Sequence, residues 1–196
     1  MNVAVFVSGG GTNLQALIDA KAAGRLPAAR LCLVVASKPG VYALQRAEKA
    51  GIPTAVVCRR DYTDAASFDA ALLALLREKG VEAIVLAGYL SIVGRPVIEA
   101  YRDKILNVHP SLIPSFCGPG YYGLRVHEAA LQKGVKVTGA TVHLVNEQYD
   151  DGRIVLQKAV DVLEGDTPQT LQRRVMEQAE WELLPRALDL LTTGRL

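Results

Sequence analysis

The residues best suited to chemistry are Asn107 and His109, two positions apart in the sequence. Apolar residues at 105, 106 and 108 predict a short buried strand, which Pro110 ends because proline cannot continue a hydrogen-bonded ladder. The amide and the imidazole then face the same side at the carboxyl end, where open α/β sheets bind ligands. Together they could stabilise an oxygen that gains negative charge and carry protons near neutral pH. A strand that merely ends in two hydrogen-bonded polar residues explains these positions equally well.

A carboxylate beside His109 would raise its pKa and fix its orientation. Asp150 and Asp151 are the nearest candidates, because their acidic turn ends a predicted hairpin next to this strand. Asp-Asp-Gly is also common in surface turns, so the contact is a hypothesis. Of the other histidines, His127 is interpreted as a surface or structural residue and His143 as a satisfied core imidazole.

A glycine-rich turn, residues 8–13, follows the first apolar strand and precedes a helix. Free backbone N–H groups and the helix dipole make such a turn an anion cradle, to which Thr12 and Asn13 can add side-chain donors. A dinucleotide fingerprint would need a third glycine where Leu14 stands, and the Walker pattern lacks its Gly-Lys-Ser/Thr ending. We therefore favour a small phosphate monoester. The alternative is a tight turn that uses glycine only for its backbone freedom.

The elements that must position these residues alternate between strands and helices. Strands are predicted at 3–7, 31–36, 54–58, 83–87, 105–109, 135–137, 140–145 and 154–156, and helices at 14–24, 41–50, 68–80 and 126–131. This order predicts an α/β fold: a Rossmann-like, open, mostly parallel twisted sheet flanked by helices. Tyr89–Val93 is predicted to start another helix that lines the same cleft. A hairpin with a bulge at Gly139 and a long last helix opened by Thr167 and Pro168 complete the chain.

Length and composition predict one globular domain. The 196 residues are 50% hydrophobic and 21% charged, with a formal net charge of +2, which gives no electrostatic signal for nucleic acid or an anionic membrane. The three cysteines contain no CxxC pair, so neither a disulfide framework nor a metal site is expected. No apolar run approaches the roughly 18 residues of a membrane span. With a strand directly at the amino terminus, these features predict a cytoplasmic protein.

Five segments, in this order, resemble the folate-dependent formyltransferases over essentially the whole chain. They are residues 7–15, 86–89, 107–114, 138–143 and 150–152, and the Asn-x-His-Pro-Ser-Leu block is typical of that superfamily. The resemblance implies a single formyltransferase domain over 1–196, with a phosphate-binding half at about 1–100 and a folate-binding, catalytic half at about 101–196. The glycine-rich start points to the purine-pathway member. The implied reaction transfers the formyl group of 10-formyltetrahydrofolate, as co-substrate, to the amine of N1-(5-phosphoribosyl)glycinamide (glycinamide ribonucleotide) on the way to IMP.

The resemblance also implies roles for single residues. His109 matches the catalytic histidine, Asn107 the donor to the formyl oxygen, and Asp150 the carboxylate that raises the histidine's pKa. The residues that match the substrate site, namely the phosphate grip and an acid near the glycinamide end, are Gly11, Thr12, Asn13 and Glu180.

The folate pocket is implied in the same way. Its matching residues are Leu90, Ser91, Ile92, Val93, Asn107, Asn146, Glu147 and Asp150. Ser91 and Ala65 stand where the family often has arginine, so Arg59 or Arg60 is the alternative contact for the folate's glutamate tail. The loop Cys117–Gly123 is longer than in many relatives.

Glycinamide ribonucleotide and formyl-folate are thus the expected partners, with no metal, nucleic acid or membrane, in a monomer or homodimer. Alternative functions are a related formyltransferase for another amine, such as methionyl-tRNA or an amino sugar, a formyl-folate hydrolase, and a non-catalytic nucleotide-binding module. The small net charge and the lack of a further domain in these residues disfavour the tRNA enzyme, and the hydrolase usually has an extra domain as well. A nucleophilic triad is disfavoured because Ser8, Ser91, Ser111 and Cys117 lack the strained elbow pattern.

Overall fold

Seven strands and seven helices follow one another in the computed structural model, which describes all 196 residues. The strands are β1 (Asn2–Val7), β2 (Arg30–Ala36), β3 (Thr54–Val56), β4 (Ala83–Leu86), β5 (Ile105–His109), β6 (Val137–Leu144) and β7 (Ile154–Asp161). The helices are α1 (Thr12–Ala22), α2 (Tyr42–Lys49), α3 (Ala65–Glu78), α4 (Arg95–Ala100), α5 (Leu124–Lys133), α6 (Pro168–Val175) and α7 (Trp181–Thr192).

All seven strands form one sheet in the order β3-β2-β1-β4-β5-β6-β7. The first five run parallel, and β6 and β7 pair antiparallel as a hairpin at the edge. The predicted α/β fold, with its mostly parallel sheet and added hairpin, is confirmed. Strand order reverses between β1 and β4, and ligands of open α/β sheets bind beside such a reversal at the carboxyl ends.

Two hydrophobic clusters, one on each face of the sheet, explain why β1 is apolar without interruption. Val3, Val5 and Val7 belong to a cluster of 32 buried residues under α1, α2, α6 and α7. Ala4 and Phe6 belong to a cluster of 16 buried residues under α3 and α4. Because both faces are covered by helices, an interior strand has no polar side.

The predicted helix at Tyr89–Val93 is wrong. These residues form an irregular loop, and α4 begins only at Arg95. Leu90 and Ile92 are 62% and 65% exposed and do not pack into the core, whereas Val93 is buried in the smaller cluster. Their position at the carboxyl end of β4, beside the cleft, is as expected.

The bulge predicted at Gly139 is also wrong. β6 runs without interruption through this residue, which pairs with Ala159, and the register shifts only between Val142 and His143. A Cβ atom at Gly139 would lie 2.0 Å from the Lys158 carbonyl oxygen, so glycine is required here by the close approach of β7. The actual bulge lies beside the cleft, a common place for one.

The long last helix contains one π-helical turn. Thr167 caps α6 through the Thr170 N–H, with Pro168 in the first turn as predicted, and Met176–Glu180 form the π turn before α7. Such single π turns frequently occur at functional sites. No helix in the structure combines the length and the apolar character needed to cross a membrane.

Candidate active site

Strand register brings three polar side chains together at the end of β5. Asn107 and His109 lie on the same face of the strand, and Asn107 pairs directly with His143 of β6. Directly paired residues of antiparallel strands share a face, so His143 joins the other two. His109 is 4% and His143 2% exposed, which removes both imidazoles from bulk water.

Hydrogen bonds fix the orientation of the Asn107 amide. The Leu144 carbonyl accepts a hydrogen bond from His143 Nδ1 at 2.9 Å, because a carbonyl oxygen has no proton to donate. Asn107 Nδ2 lies 3.1 Å from His143 Nε2 and 3.4 Å from Asp150 Oδ1. The amide nitrogen therefore lies between His143 and Asp150, and the longer contact to Asp150 leaves one N–H only weakly engaged.

Asp150 completes the group, which we call the polar cluster: Asn107, His109, His143 and Asp150. Asp150 Oδ2 lies 3.6 Å from His109 Nδ1, and Oδ1 lies 3.6 Å from His143 Nε2. Its Oδ2 also accepts the Gly118 N–H at 2.8 Å. The geometry predicted from the sequence, a carboxylate from the acidic turn beside His109, is thus present.

Burial sets the resting charge of the two central groups. Burial lowers the pKa of His109 below its ordinary value of 6.5, and Asp150 and the Phe116 carbonyl only partly offset it. Asp150 does act in the expected direction, but the net pKa is lowered, and the imidazole at rest is mainly neutral at pH 7. Burial alone would raise the pKa of Asp150, but His143, His109 and the Gly118 N–H together bring it below the ordinary value.

A cavity of about 520 Å³ opens in front of the polar cluster. All the residues predicted for the folate pocket line it: Leu90, Ser91, Ile92, Val93, Asn107, Asn146, Glu147 and Asp150. Gly118–Gly123, the part of the long loop for which the sequence suggested no purpose, forms another wall. Leu90, Ile92 and Tyr149 are more than half exposed and form what we call the cavity mouth. Arg59 and Arg60 are not among the lining residues.

The glycine-rich turn meets the π turn at the other end of the cavity. Asn13 Nδ2 donates to Glu180 Oε2 at 2.6 Å, and both side chains are buried and line the cavity. Burial raises the pKa of Glu180 to about 7, and the bond from Asn13 opposes this rise. Asn13 Nδ2, which was expected to donate to a phosphate, therefore already donates to Glu180.

Gly11 and Thr12 do not line this cavity. Gly11 caps α1 in the left-handed region, and a Cβ atom there would lie 2.6 Å from the Ala43 Cβ, so the turn requires glycine. Thr12 instead lines a smaller cavity beside Arg46 and Trp181. The backbone N–H groups that open α1 remain the anion-binding element of this turn.

The structure extends one histidine interpretation and decides another. His143 is a hydrogen-bonded core imidazole, as predicted, and it also contacts Asn107 and Asp150. The sequence signal for this role is the position of His143 in a strand of alternating residues. That position becomes informative only once the register of β5 with β6 is known. His127 is fully buried, neither ring nitrogen has a partner, and burial lowers its pKa to about 4; it is structural and not a surface residue.

Fold and site together describe an open α/β protein with an amide, two imidazoles and a carboxylate at the carboxyl end of its sheet. The sequence profile of the formyl transferase family matches residues 1–188. The chain is 40% identical over 194 residues to phosphoribosylglycinamide formyltransferase of Haemophilus influenzae, covering 99% of this chain and 88% of the relative. It belongs to the formyl transferase family, in the branch of the phosphoribosylglycinamide formyltransferases.

A solved structure and a longer relative support this placement. The fold superposes on glycinamide ribonucleotide transformylase 1 from Symbiobacterium toebii with a TM-score of 0.93 at 42% identity, covering 100% of this chain and 89% of the other. Trifunctional purine biosynthetic protein adenosine-3 of Gallus gallus is 45% identical over 196 residues, covering 99% of this chain and 19% of the relative. The chain thus spans about a fifth of that relative's length.

Proposed function

We propose that this chain transfers the formyl group of 10-formyltetrahydrofolate to the amine of N1-(5-phosphoribosyl)glycinamide in purine biosynthesis. The observation that carries the proposal is the convergence of Asn107, His109 and Asp150 at one cavity. The proposal is also supported by the Haemophilus influenzae relative, which is named for this activity, is 40% identical to the chain and is covered over 88% of its length. The chain acts as one domain, in which the glycine turn binds the phosphate. The loop of Leu90 and Ile92, together with the residues after about 100, binds the folate, and the later residues carry out the reaction.

Oxyanion stabilisation is the first task of the site. When the amine attacks the formyl carbon, negative charge develops on the formyl oxygen. The weakly engaged N–H of Asn107, 3.4 Å from Asp150 Oδ1, turns to that oxygen, while His143 keeps the amide in place. Loss of one such donor typically raises the barrier by about 3–4 kcal/mol.

Proton transfer is the second task. The amine loses a proton as it adds to the formyl carbon, and the folate nitrogen gains one as the carbon–nitrogen bond breaks. His109, mainly neutral at rest because of burial, accepts the first proton. Asp150, 3.6 Å from its Nδ1, stabilises the imidazolium that forms and favours return of the proton to the leaving group.

Substrate positioning is the third task. The glycinamide end lies by the buried Glu180, and the phosphate lies at the backbone N–H groups of Gly11, Thr12 and Asn13, where the start of α1 favours an anion. Folate enters through the cavity mouth, whose apolar side chains suit its flat rings.

The direct test is formyl transfer by the purified chain, followed through the absorbance of the deformylated folate. We expect turnover with glycinamide ribonucleotide, little with the riboside that lacks the phosphate, and a loss of orders of magnitude in kcat for His109→Ala with an unchanged circular dichroism spectrum. Turnover of another amine in preference to glycinamide ribonucleotide would contradict the proposal, as would full activity of His109→Ala.

A further inference from the structure

Arg95 is the only lysine or arginine among the residues that line the cavity. It is the first residue of α4, directly after the loop that carries Leu90 and Ile92. Its side chain is 77% exposed and ion-paired with Glu99, four residues on, at 2.7 Å. The cationic group thus lies at the outer part of the cavity, next to the cavity mouth and away from the buried polar cluster.

The remaining charges of the lining are negative. Glu147, Asp150 and Glu180 line the cavity, and Glu147 is already paired with Arg102 at 3.2 Å. Arg95 is therefore the one positively charged side chain of the lining that can attract an anionic group of a bound molecule. A guanidinium also suits a carboxylate, because it can bind both oxygens at once.

The proposed co-substrate carries such an anion at one end. Folates consist of a pterin, a benzoyl ring and a glutamate tail with two free carboxylates, and the formyl group lies between the pterin and the benzoyl ring. With the formyl group at the buried polar cluster, the tail is directed outward past Leu90 and Ile92. Arg95 directly follows the loop that carries these two residues and lines the same cavity.

We propose that Arg95 binds the glutamate tail of the folate co-substrate, an inference that rests on the proposed function. The alternative contacts, Arg59 and Arg60, do not line the cavity. Arg59 instead donates to the Tyr62 carbonyl at 3.1 Å, and Arg60 lies 3.8 Å from Asp61. Binding requires Arg95 to exchange Glu99 for the tail, a small cost because exposed pairs of this kind contribute little.

The test compares 10-formyltetrahydrofolate with its analogue that lacks glutamate, 10-formyltetrahydropteroate. For Arg95→Gln we expect KM for the glutamylated compound to rise about three- to fivefold, as for loss of one exposed charge pair. KM for the tailless analogue and kcat for both stay unchanged. The wild-type preference for the glutamylated compound falls as salt is added, and that of the variant does not.

Arg173→Gln is the matched control, because Arg173 forms an equivalent pair with Glu177 at 2.8 Å, is also 77% exposed and does not line the cavity. We expect it to change neither KM. Glu99→Gln, which frees Arg95, lowers KM for the glutamylated compound alone.

Three outcomes would overturn the inference. They are an unchanged KM in Arg95→Gln, an equal rise of KM for both compounds in Arg95→Gln, or a rise of KM for the glutamylated compound alone in Arg60→Gln instead of Arg95→Gln. Calorimetric titration of both compounds, without the amine, separates this result from the proposed function. Absence of formyl transfer by the wild type would refute the function, while the titration still decides the role of Arg95.

Discussion

The polar cluster is attached to two paired strands and one turn, whereas the cavity mouth is attached to loops. His109 and His143 are almost fully buried, and Leu90, Ile92 and Tyr149 are more than half exposed. Each side chain of the cluster contacts at least one other member. The two regions share one cavity, so their difference in burial and in mutual contacts indicates that they have different functions. The cluster is held in position for the reaction, and the mouth supplies contact area for a ligand that comes and goes.

The sharpest test of this difference removes the charge of Asp150. Asp150→Asn keeps the shape of the side chain, and asparagine tolerates the positive φ of 51° at this position. Because the His109 imidazolium would lose its counter-charge, we expect kcat to fall by about 10²–10⁴-fold with little change in KM. Stopped-flow or steady-state transfer assays measure this effect.

Asp151→Asn is the matched control, since this neighbour is exposed and does not line the cavity. Its kcat should equal that of the wild type. If Asp150→Asn kept more than a tenth of wild-type turnover, the carboxylate would have no essential part in the reaction, and the contrast between the two regions would fail.

The second prediction concerns Glu180 and its pH dependence. Since its pKa is about 7 in the fold against 4.5 ordinarily, the folded chain binds more protons than the unfolded chain between these pH values, and stability falls as pH rises through that window. Glu180→Gln removes this loss. The Asn13 Oδ1, which has no partner, can accept from the new amide after a flip of the Asn13 side chain.

We therefore expect Glu180→Gln to raise the free energy of unfolding by about 3 kcal/mol at pH 8 and to leave it nearly unchanged at pH 4.5, measured by urea titration. Affinity for glycinamide ribonucleotide should fall. Glu177→Gln, on the same turn but exposed, is the comparison. Equal pH profiles for Glu180→Gln and the wild type would show that the buried carboxyl is not held protonated.

The smallest effect is expected at the cavity mouth. Leu90→Ser removes an apolar side chain that is 62% exposed, so only part of its surface is available to a bound folate. We expect KM for the folate to rise about two- to fourfold with kcat and the urea midpoint unchanged. A fall in kcat of more than tenfold would place Leu90 with the polar cluster and remove the distinction between the regions.

The sequence predicted well those parts of the site that depend on one strand and its ending. Asn107 and His109 needed only strand alternation and Pro110. The hairpin next to that strand limited the carboxylate to Asp150 or Asp151, and the family resemblance selected Asp150. The place of His143 depended on pairing between β5 and β6, which no local pattern specifies. Local signals could not reveal the Asn13–Glu180 bond either, since these residues are 167 positions apart.

The errors have separate physical origins. The helix predicted to start at Tyr89–Val93 is absent, and Leu90 and Ile92 are instead exposed at the cavity mouth. Gly139 was interpreted as a bulge, whereas glycine is needed at this position because the backbone of β7 approaches it closely. The depressed pKa of His109 was missed because burial, a property of the whole fold, outweighs the neighbouring carboxylate.

The loop after β5 contacts both His109 and Asp150. The Phe116 carbonyl lies 2.9 Å from His109 Nε2, and the Gly118 N–H donates to Asp150 Oδ2. Asp150 faces the other ring nitrogen, so both nitrogens of His109 already have protein neighbours. A substrate can exchange a proton with Nε2 only by taking the place of the Phe116 carbonyl. The position of this loop and the occupancy of the site are therefore linked.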